Sequence, residues 1–322
     1  MPGVDQDSRY YASTAVFISE IMKLIFCSFY AISEQGLTEP FEQIFHGDWW
    51  KLSIPALLYT LQNNLQYVAV SNLEAVTFQV MHQLKILSTA LFSVIILRRS
   101  LSRGQWAALF LLTFGVALIQ IPESTFMELK DLIYGLHDTG AKRQVSNKSS
   151  SETAATASMN PLVGVMAIVT ASIISGLSGV YFEKVLKTTN NVSVWVRNIQ
   201  LSIFSLIPCL VLGVYFKDGS GIAKNGFLHG YNSVVWTSVS LQALGGIVVS
   251  LSVKYADNIA KNFATSISII LSFLASVLFF NFAVSVNFVF GVMTVLTSTY
   301  MYSHQGTVAV PKHDPYYEKS NV

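Results

Sequence analysis

Nine apolar stretches of helix length run through this chain of 322 residues, at about 12–32, 53–71, 76–97, 104–121, 161–182, 194–216, 234–253, 258–280 and 283–303. A hydrocarbon core roughly 30 Å thick is crossed by about 20 apolar residues wound as an α-helix. Backbone facing lipid must satisfy its own hydrogen bonds, and ten-residue alternating segments that would close a barrel are absent. The pattern predicts an all-α, polytopic transmembrane helical bundle of about nine spans. Composition agrees: 52% of residues are hydrophobic, 12% are charged and mean hydropathy is +0.49, against about a quarter charged in soluble domains. The first stretch carries Glu20 and Lys23 and lacks a basic leader, so it does not read as a cleavable signal. A net charge of +2 and only 18 acidic residues exclude a nucleic-acid partner. Two cysteines, both inside apolar stretches, leave no disulfide framework or metal quartet, and no cofactor motif occurs.

The positive charges orient the spans. Connections at 33–52, 98–103, 183–197, 254–261 and 304–322 hold eleven Lys and Arg, whereas the alternate set holds seven, four of them in the single long connection. Cytosolic loops are enriched in Lys and Arg. Arg98, Arg99, Arg103 and the C-terminal tail are therefore expected in the cytosol. The 122–160 connection contains a Ser/Thr-rich, weakly apolar stretch expected to be disordered, and its Asn147-Lys148-Ser149 is a glycosylation sequon on the opposite side.

The two halves repeat. Lys85-Ile-Leu-Ser-Thr89 parallels Lys261-Asn-Phe-Ala-Thr265, and Gly115-Val116 parallels Gly291-Val292, all at an offset of 176 residues. Residues 1–121 then form a first repeat of four helices, 122–160 a linker, 161–303 a second repeat of five, and 304–322 a tail. An odd number of helices per repeat inverts the second copy relative to the first, as in many carriers whose substrate binds near the bilayer midplane. A scheme of five and five leaves this chain one helix short at its N-terminus.

Ionisable and amide side chains at bilayer depth are costly and mark cavities or partners. Lys85 lies mid-segment with no carboxylate in its own stretch, and Phe78, His82, Lys85 and Thr89 share one helical face. A ring, a hydrogen-bonding ring, a cation and a hydroxyl in line suit a ligand with a base and a phosphate; the alternative is a carboxylate partner from another helix. Asn258, Lys261, Thr265 and Ser268 repeat the stripe, although Lys261 also suits a cytosolic flank. Glu20 and Lys23, three apart, either neutralise one another as a cavity-lining link or act as separate ligands. Tyr59, Gln62, Asn63 and Gln66 are cavity residues or interhelical hydrogen-bonding groups, and Asn198 with Ser202 and Ser205 reads the same way. Ser172, Ser175, Gly176 and Gly179 give small-residue steps, read first as helix packing and second as room for a sugar ring.

Ordered motifs along nearly the whole chain resemble the Golgi nucleotide-sugar transporters: Tyr59-Thr-Leu-Gln-Asn-Asn-Leu65, Ser71-Asn-Leu73, Gln83-Leu-Lys-Ile-Leu87, Thr89-Ala-Leu-Phe-Ser-Val94, Gly179-Val-Tyr-Phe-Glu-Lys184, Val194-Trp-Val-Arg-Asn-Ile-Gln200 and Lys254-Tyr-Ala-Asp-Asn-Ile259. The resemblance is to the branch carrying UDP-galactose, UDP-N-acetylglucosamine and CMP-sialic acid. It implies ten helices in two inverted halves, a Golgi membrane location, and exchange of nucleotide sugar for nucleoside monophosphate without covalent chemistry. It further implies that Tyr59, Gln62 and Asn63 meet the base and ribose, that Lys85 and Lys261 meet phosphate, that Ser175, Gly176 and Gly179 lie near the sugar and that Asn198 meets the nucleotide. Phe78, Met81-His82 and Asn262 depart from the CMP-sialic acid pattern, and the Arg99–Arg103 turn is most similar to UDP-galactose carriers. The expected substrate pair is UDP-galactose and UMP; a homodimer is left open as an assembly. Competing readings are a proton-coupled exporter, a membrane glycosyltransferase and an inactive truncated isoform.

Overall fold

A computed structural model describes residues 10–36, 38–45, 48–121, 160–188, 192–280 and 285–305. Asn147, nearly all of the expected linker and most of the tail lie outside them. Among the described residues all nine apolar stretches are helical. The elements are α1 (Ala12–Gln35), α2 (Thr38–Ile44), α3 (Ser53–Asn72), α4 (Ala75–His82), α5 (Leu84–Leu97), α6 (Arg103–Gln120), α7 (Pro161–Thr188), α8 (Val194–Pro208), α9 (Gly219–Asn225), α10 (Ser233–Tyr255), α11 (Asn258–Phe280) and α12 (Val286–His304). A 3₁₀ turn over Trp49–Leu52 leads into α3, and α8 continues as a π-helical stretch, Cys209–Lys217.

Among the described residues six helical stretches are long and apolar enough to cross a membrane by length and composition: α1, Ala75–Leu97, α7, Val194–Lys217, α10 and Asn258–Phe279. The other three of the nine are α3, α6 and α12, of 20, 18 and 19 residues. In α3 the amides Gln62, Asn63, Asn64 and Gln66 dilute the apolar run. A stretch rich in hydrogen-bonding groups scores poorly for lipid although it suits an interior position.

The chain divides into two compact units: Met1–Leu61 with Ser178–Lys261 and His313–Val322, and Gln62–Leu177 with Asn262–Lys312. Each draws on sequence from both sides of the long connection, and α3, α7 and α11 each contribute residues to both.

In the first unit α1 lies against α8, α10 and the π-helical stretch. Cys27 and Ala31 of α1 meet Val196 and Ile199 of α8 and Ile247 of α10, while Leu52 and Ala56 join Phe182, Val185, Leu186, Leu201 and Val253 in a second cluster. Arg197, which counts as a cytosolic charge in the sequence, is in fact internal at 1% exposure. Its guanidinium donates to Asp48 at 2.9 Å and to Gln200 at 3.0 Å, and Gln200 Nε2 in turn donates to the carbonyls of Gln43 and Ile44. Those carbonyls end α2 and would otherwise be orphaned. The sequence contains no periodic signal for this clamp, because its members are about 150 residues apart.

In the second unit α6 and α12 run together over most of their length. Glycine makes this possible: a Cβ on Gly291 would stand 2.9 Å from the carbonyl oxygen of Gly115 and 2.6 Å from Ile119. The two glycines that match at the 176-residue offset are thus neighbours in space. Ser102 and Gln105 form a capping box at the start of α6, and Gln305, just beyond α12, accepts from Ser102 Oγ and from Gln105 Nε2. Arg98 ends α5 in the left-handed region at φ 52°.

Between α4 and α5 the helix tightens. Gln83 N donates to Val80 O and Ile86 N donates to Gln83 O, three-residue steps rather than four. Gln83 is buried, and its amide donates to Gln79 O and to Gln120 of α6. His82 and Lys85 sit on either side of this tightened turn.

Candidate functional site

Residues expected at the site fall in both units, so each set is described in its own. In the first unit, Lys23 and Glu20 form an ion pair at 2.7 Å with Lys23 only 6% exposed. The aliphatic stem of Lys23 lies where a Cβ on Gly246 would touch it at 3.4 Å. The two side chains therefore neutralise one another. Tyr59 shares a side-chain hydrogen bond with Ser178. Asn198 is fully buried and uses both ends of its amide: Nδ2 donates to Val194 O at 2.9 Å, and Oδ1 accepts from Ser250 at 2.8 Å.

Gly179 packs against Asn258. Its carbonyl accepts from Asn258 Nδ2 at 2.6 Å, and a Cβ there would stand 3.3 Å from Asn258 Oδ1. Asn258 in turn carries Lys261, whose Nζ donates to Asn258 Oδ1 at 2.9 Å. Glu183 and Asp257, scattered in sequence, meet at the same place. Glu183 Oε2 accepts from Asn258 N at 3.0 Å and Nδ2 at 3.1 Å, and Asp257 Oδ1 accepts from Ala260 N at 2.7 Å. Both carboxylates face the free N–H groups and positive dipole end of α11. The sequence signal that was available is Glu183 and Lys187 at i and i+4, which pair at 2.9 Å.

In the second unit His82 and Phe78 stack with ring centroids 5.6 Å apart and planes at 12°, as the i, i+4 spacing predicts. His82 Nε2 lies 3.0 Å from Gln66 Nε2 of α3, which ties two of the expected polar stripes together. Gln62 buries its Oε1 without a partner, whereas Asn63 is exposed. Lys85 is half-buried, and among the described residues no carboxylate lies within ion-pair distance of its ammonium. Thr89 is buried and donates to Lys85 O at 2.7 Å, so its hydroxyl proton is committed to its own helix.

Gly176 serves packing. A Cβ there would meet the backbone of α5 at Ser88 C, 2.6 Å, and Thr89 N, 2.7 Å. Ser175 is half-buried one residue before it. The second stripe divides: Asn258 is buried and carries Lys261, while Thr265 and Ser268 are exposed.

Several helices long and apolar enough to cross a membrane, carrying cations, amides and aromatic rings along their length, fit the class of polytopic carriers. Comparison with known proteins makes the class specific. The family model described as nucleotide-sugar transporter matches residues 3–303, and the chain belongs to that family. The UDP-galactose transporter of Schizosaccharomyces pombe is 48% identical over 98% of this chain and 84% of its own. The UDP-N-acetylglucosamine transporter of Homo sapiens is 42% identical over 93% of this chain and 87% of its own. The UDP-galactose/UDP-N-acetylglucosamine transporter of Caenorhabditis elegans is 40% identical over 94% of this chain and 77% of its own. A protein of known crystal structure shares the fold, with a TM-score of 0.58 at 13% identity over 94% of this chain and 92% of that one. The chain is thus a nucleotide-sugar transporter by family.

Proposed function

We propose that this transporter carries UDP-galactose into the Golgi lumen and returns UMP, crossing the membrane with about nine spans in two inverted repeats. The observation that carries the substrate is the 48% identity with the UDP-galactose transporter of Schizosaccharomyces pombe over 98% of the chain. Lys85 supports the ligand chemistry. A half-buried ammonium without a carboxylate partner among the described residues is costly until an anion arrives, and a diphosphate supplies that anion. Lys261 supplies a second cation, and returning with a monophosphate keeps both lysines compensated on each leg. By the family resemblance, Tyr59, Gln62 and Asn63, with Phe78 and His82, meet the nucleoside and Asn198 meets the nucleotide, and Glu20 with Lys23 serves as a neutral link. UDP-N-acetylglucosamine is the second reading, favoured by the names of the human and Caenorhabditis elegans relatives.

Counterflow in liposomes tests both. Vesicles preloaded with UMP or CMP are offered UDP-galactose, UDP-N-acetylglucosamine and CMP-sialic acid in turn. UDP-galactose uptake driven by internal UMP is expected. Uptake of UDP-N-acetylglucosamine alone would move the assignment to the second reading, and wild-type exchange by a folded Lys85→Ala protein would remove the phosphate role of Lys85.

A further inference from the structure

We propose that Glu183 and Asn258 form a positioning latch that aims the Lys261 ammonium; the proposal rests on the reading that Lys261 meets the substrate's phosphates. A carboxamide has a donating and an accepting end, and its neighbours decide which way it faces. Asn258 is 1% exposed, and its nitrogen has two acceptors, Gly179 O at 2.6 Å and Glu183 Oε2 at 3.1 Å. Neither neighbour can donate to it, so the nitrogen must face them. The oxygen is thereby turned outward to Lys261 Nζ, 2.9 Å away.

Glu183 is itself fixed. It is fully buried, accepts from the backbone N–H of Asn258 at 3.0 Å, and is paired with Lys187, which is further held by Ala256 O. A lysine has four rotatable side-chain bonds and loses their rotamer freedom on being ordered. Asn258 Oδ1 orders its head group before substrate arrives, as a neutral acceptor that an anionic oxygen can outcompete. A carboxylate at the same place would hold the ammonium against the ligand. Glu183 and Asn258 are therefore positioning residues that act through Lys261, and Gly179 provides the carbonyl and the close approach that complete the amide's cage.

The test separates phosphate recognition from folding. Labelled nucleotide-sugar uptake is competed with UMP and with uridine, and the ratio of their potencies reports the phosphate contact. Lys261→Met is expected to lower that ratio by roughly tenfold, the size of one lost charge-assisted hydrogen bond. Asn258→Ala is expected to lower it by several-fold, and Asn258→Ala added to Lys261→Met to lower it no further. Glu183→Gln, which keeps the side chain's shape, serves as the second variant and is expected to give a smaller fall. Ser266→Ala, which removes a buried hydroxyl donating to its own helix, controls for a purely structural loss and leaves the ratio unchanged. If Lys261→Met lowers the ratio while Asn258→Ala and Glu183→Gln leave it at the wild-type value, the latch is wrong and the phosphate role stands. Additive losses in the double variant would also overturn it. An unchanged ratio in Lys261→Met would remove the phosphate role itself, and the latch with it.

Discussion

Lys23 and Glu20 hold one another inside the first unit, and their separation of three residues places them on one face of α1. The helix arranges the encounter, but burial gives it weight. Removing one member of a buried ion pair leaves an uncompensated charge at a cost of about 3–5 kcal/mol, whereas replacing both by apolar groups of similar size is often neutral. Glu20→Gln is therefore expected to lower thermal stability in detergent sharply, and Glu20→Gln combined with Lys23→Met to recover most of the loss. If the double variant is stable yet fails to exchange substrate, the pair also contributes to the transport path. Stability losses that add across the two substitutions would show that the side chains act separately.

At the scale of elements, glycines have opposite values in different helices. A Cβ on Gly176 in α7 meets α5 backbone at 2.6 and 2.7 Å, whereas one on Gly245 in α10 meets nothing within 4 Å. Gly176→Ala should cost about 1–3 kcal/mol through overpacking. Gly245→Ala should instead gain up to about 1 kcal/mol, the helix propensity that glycine lacks. Melting temperatures of the two variants check the sign of each. Both glycines lie in apolar helical runs, and sequence spacing alone does not distinguish them.

The same limit governs what could be read in advance. Hydropathy located all nine long helical stretches to within a few residues, because about 20 apolar residues leave little choice of structure. Periodicity correctly put Phe78 above His82 and Lys23 beside Glu20. It did not find α2, α9, the π-helical stretch after Pro208 or the tightened turn at Gln83. These depend on distant partners, such as Gln200 on the end of α2 and Gln120 against Gln83. Spacing pairs Glu183 with Lys187 but not with Asn258, 75 residues away, because only folding makes those two neighbours.

At the scale of the whole molecule, the two units do not follow the chain's own halves. Residues before the long connection supply part of each unit, and residues after it supply the rest. Cutting within the connection should therefore leave two fragments that are each incomplete in both units. Expressed alone, each fragment is expected to be degraded or to aggregate. Co-expressed, they are expected to restore nucleotide-sugar uptake by membrane vesicles. A stable, monodisperse fragment 1–121 on its own would show that the first four long helical stretches form a unit by themselves.

This interleaving has a consequence in time. When residue 121 leaves the ribosome, neither unit has all of its helices, and the first cannot close until residue 261 has been made. At synthesis rates of about 5–20 residues per second, the early helices wait roughly 7–28 s in the bilayer. At its start Glu20 already has Lys23 on its own helix, whereas Asn198 and Ser250, the future partners of one another, have not been translated. Charge paired within a single helix is thus protected from the moment of insertion, whereas the Ile44 carbonyl waits for Gln200, made 156 residues later.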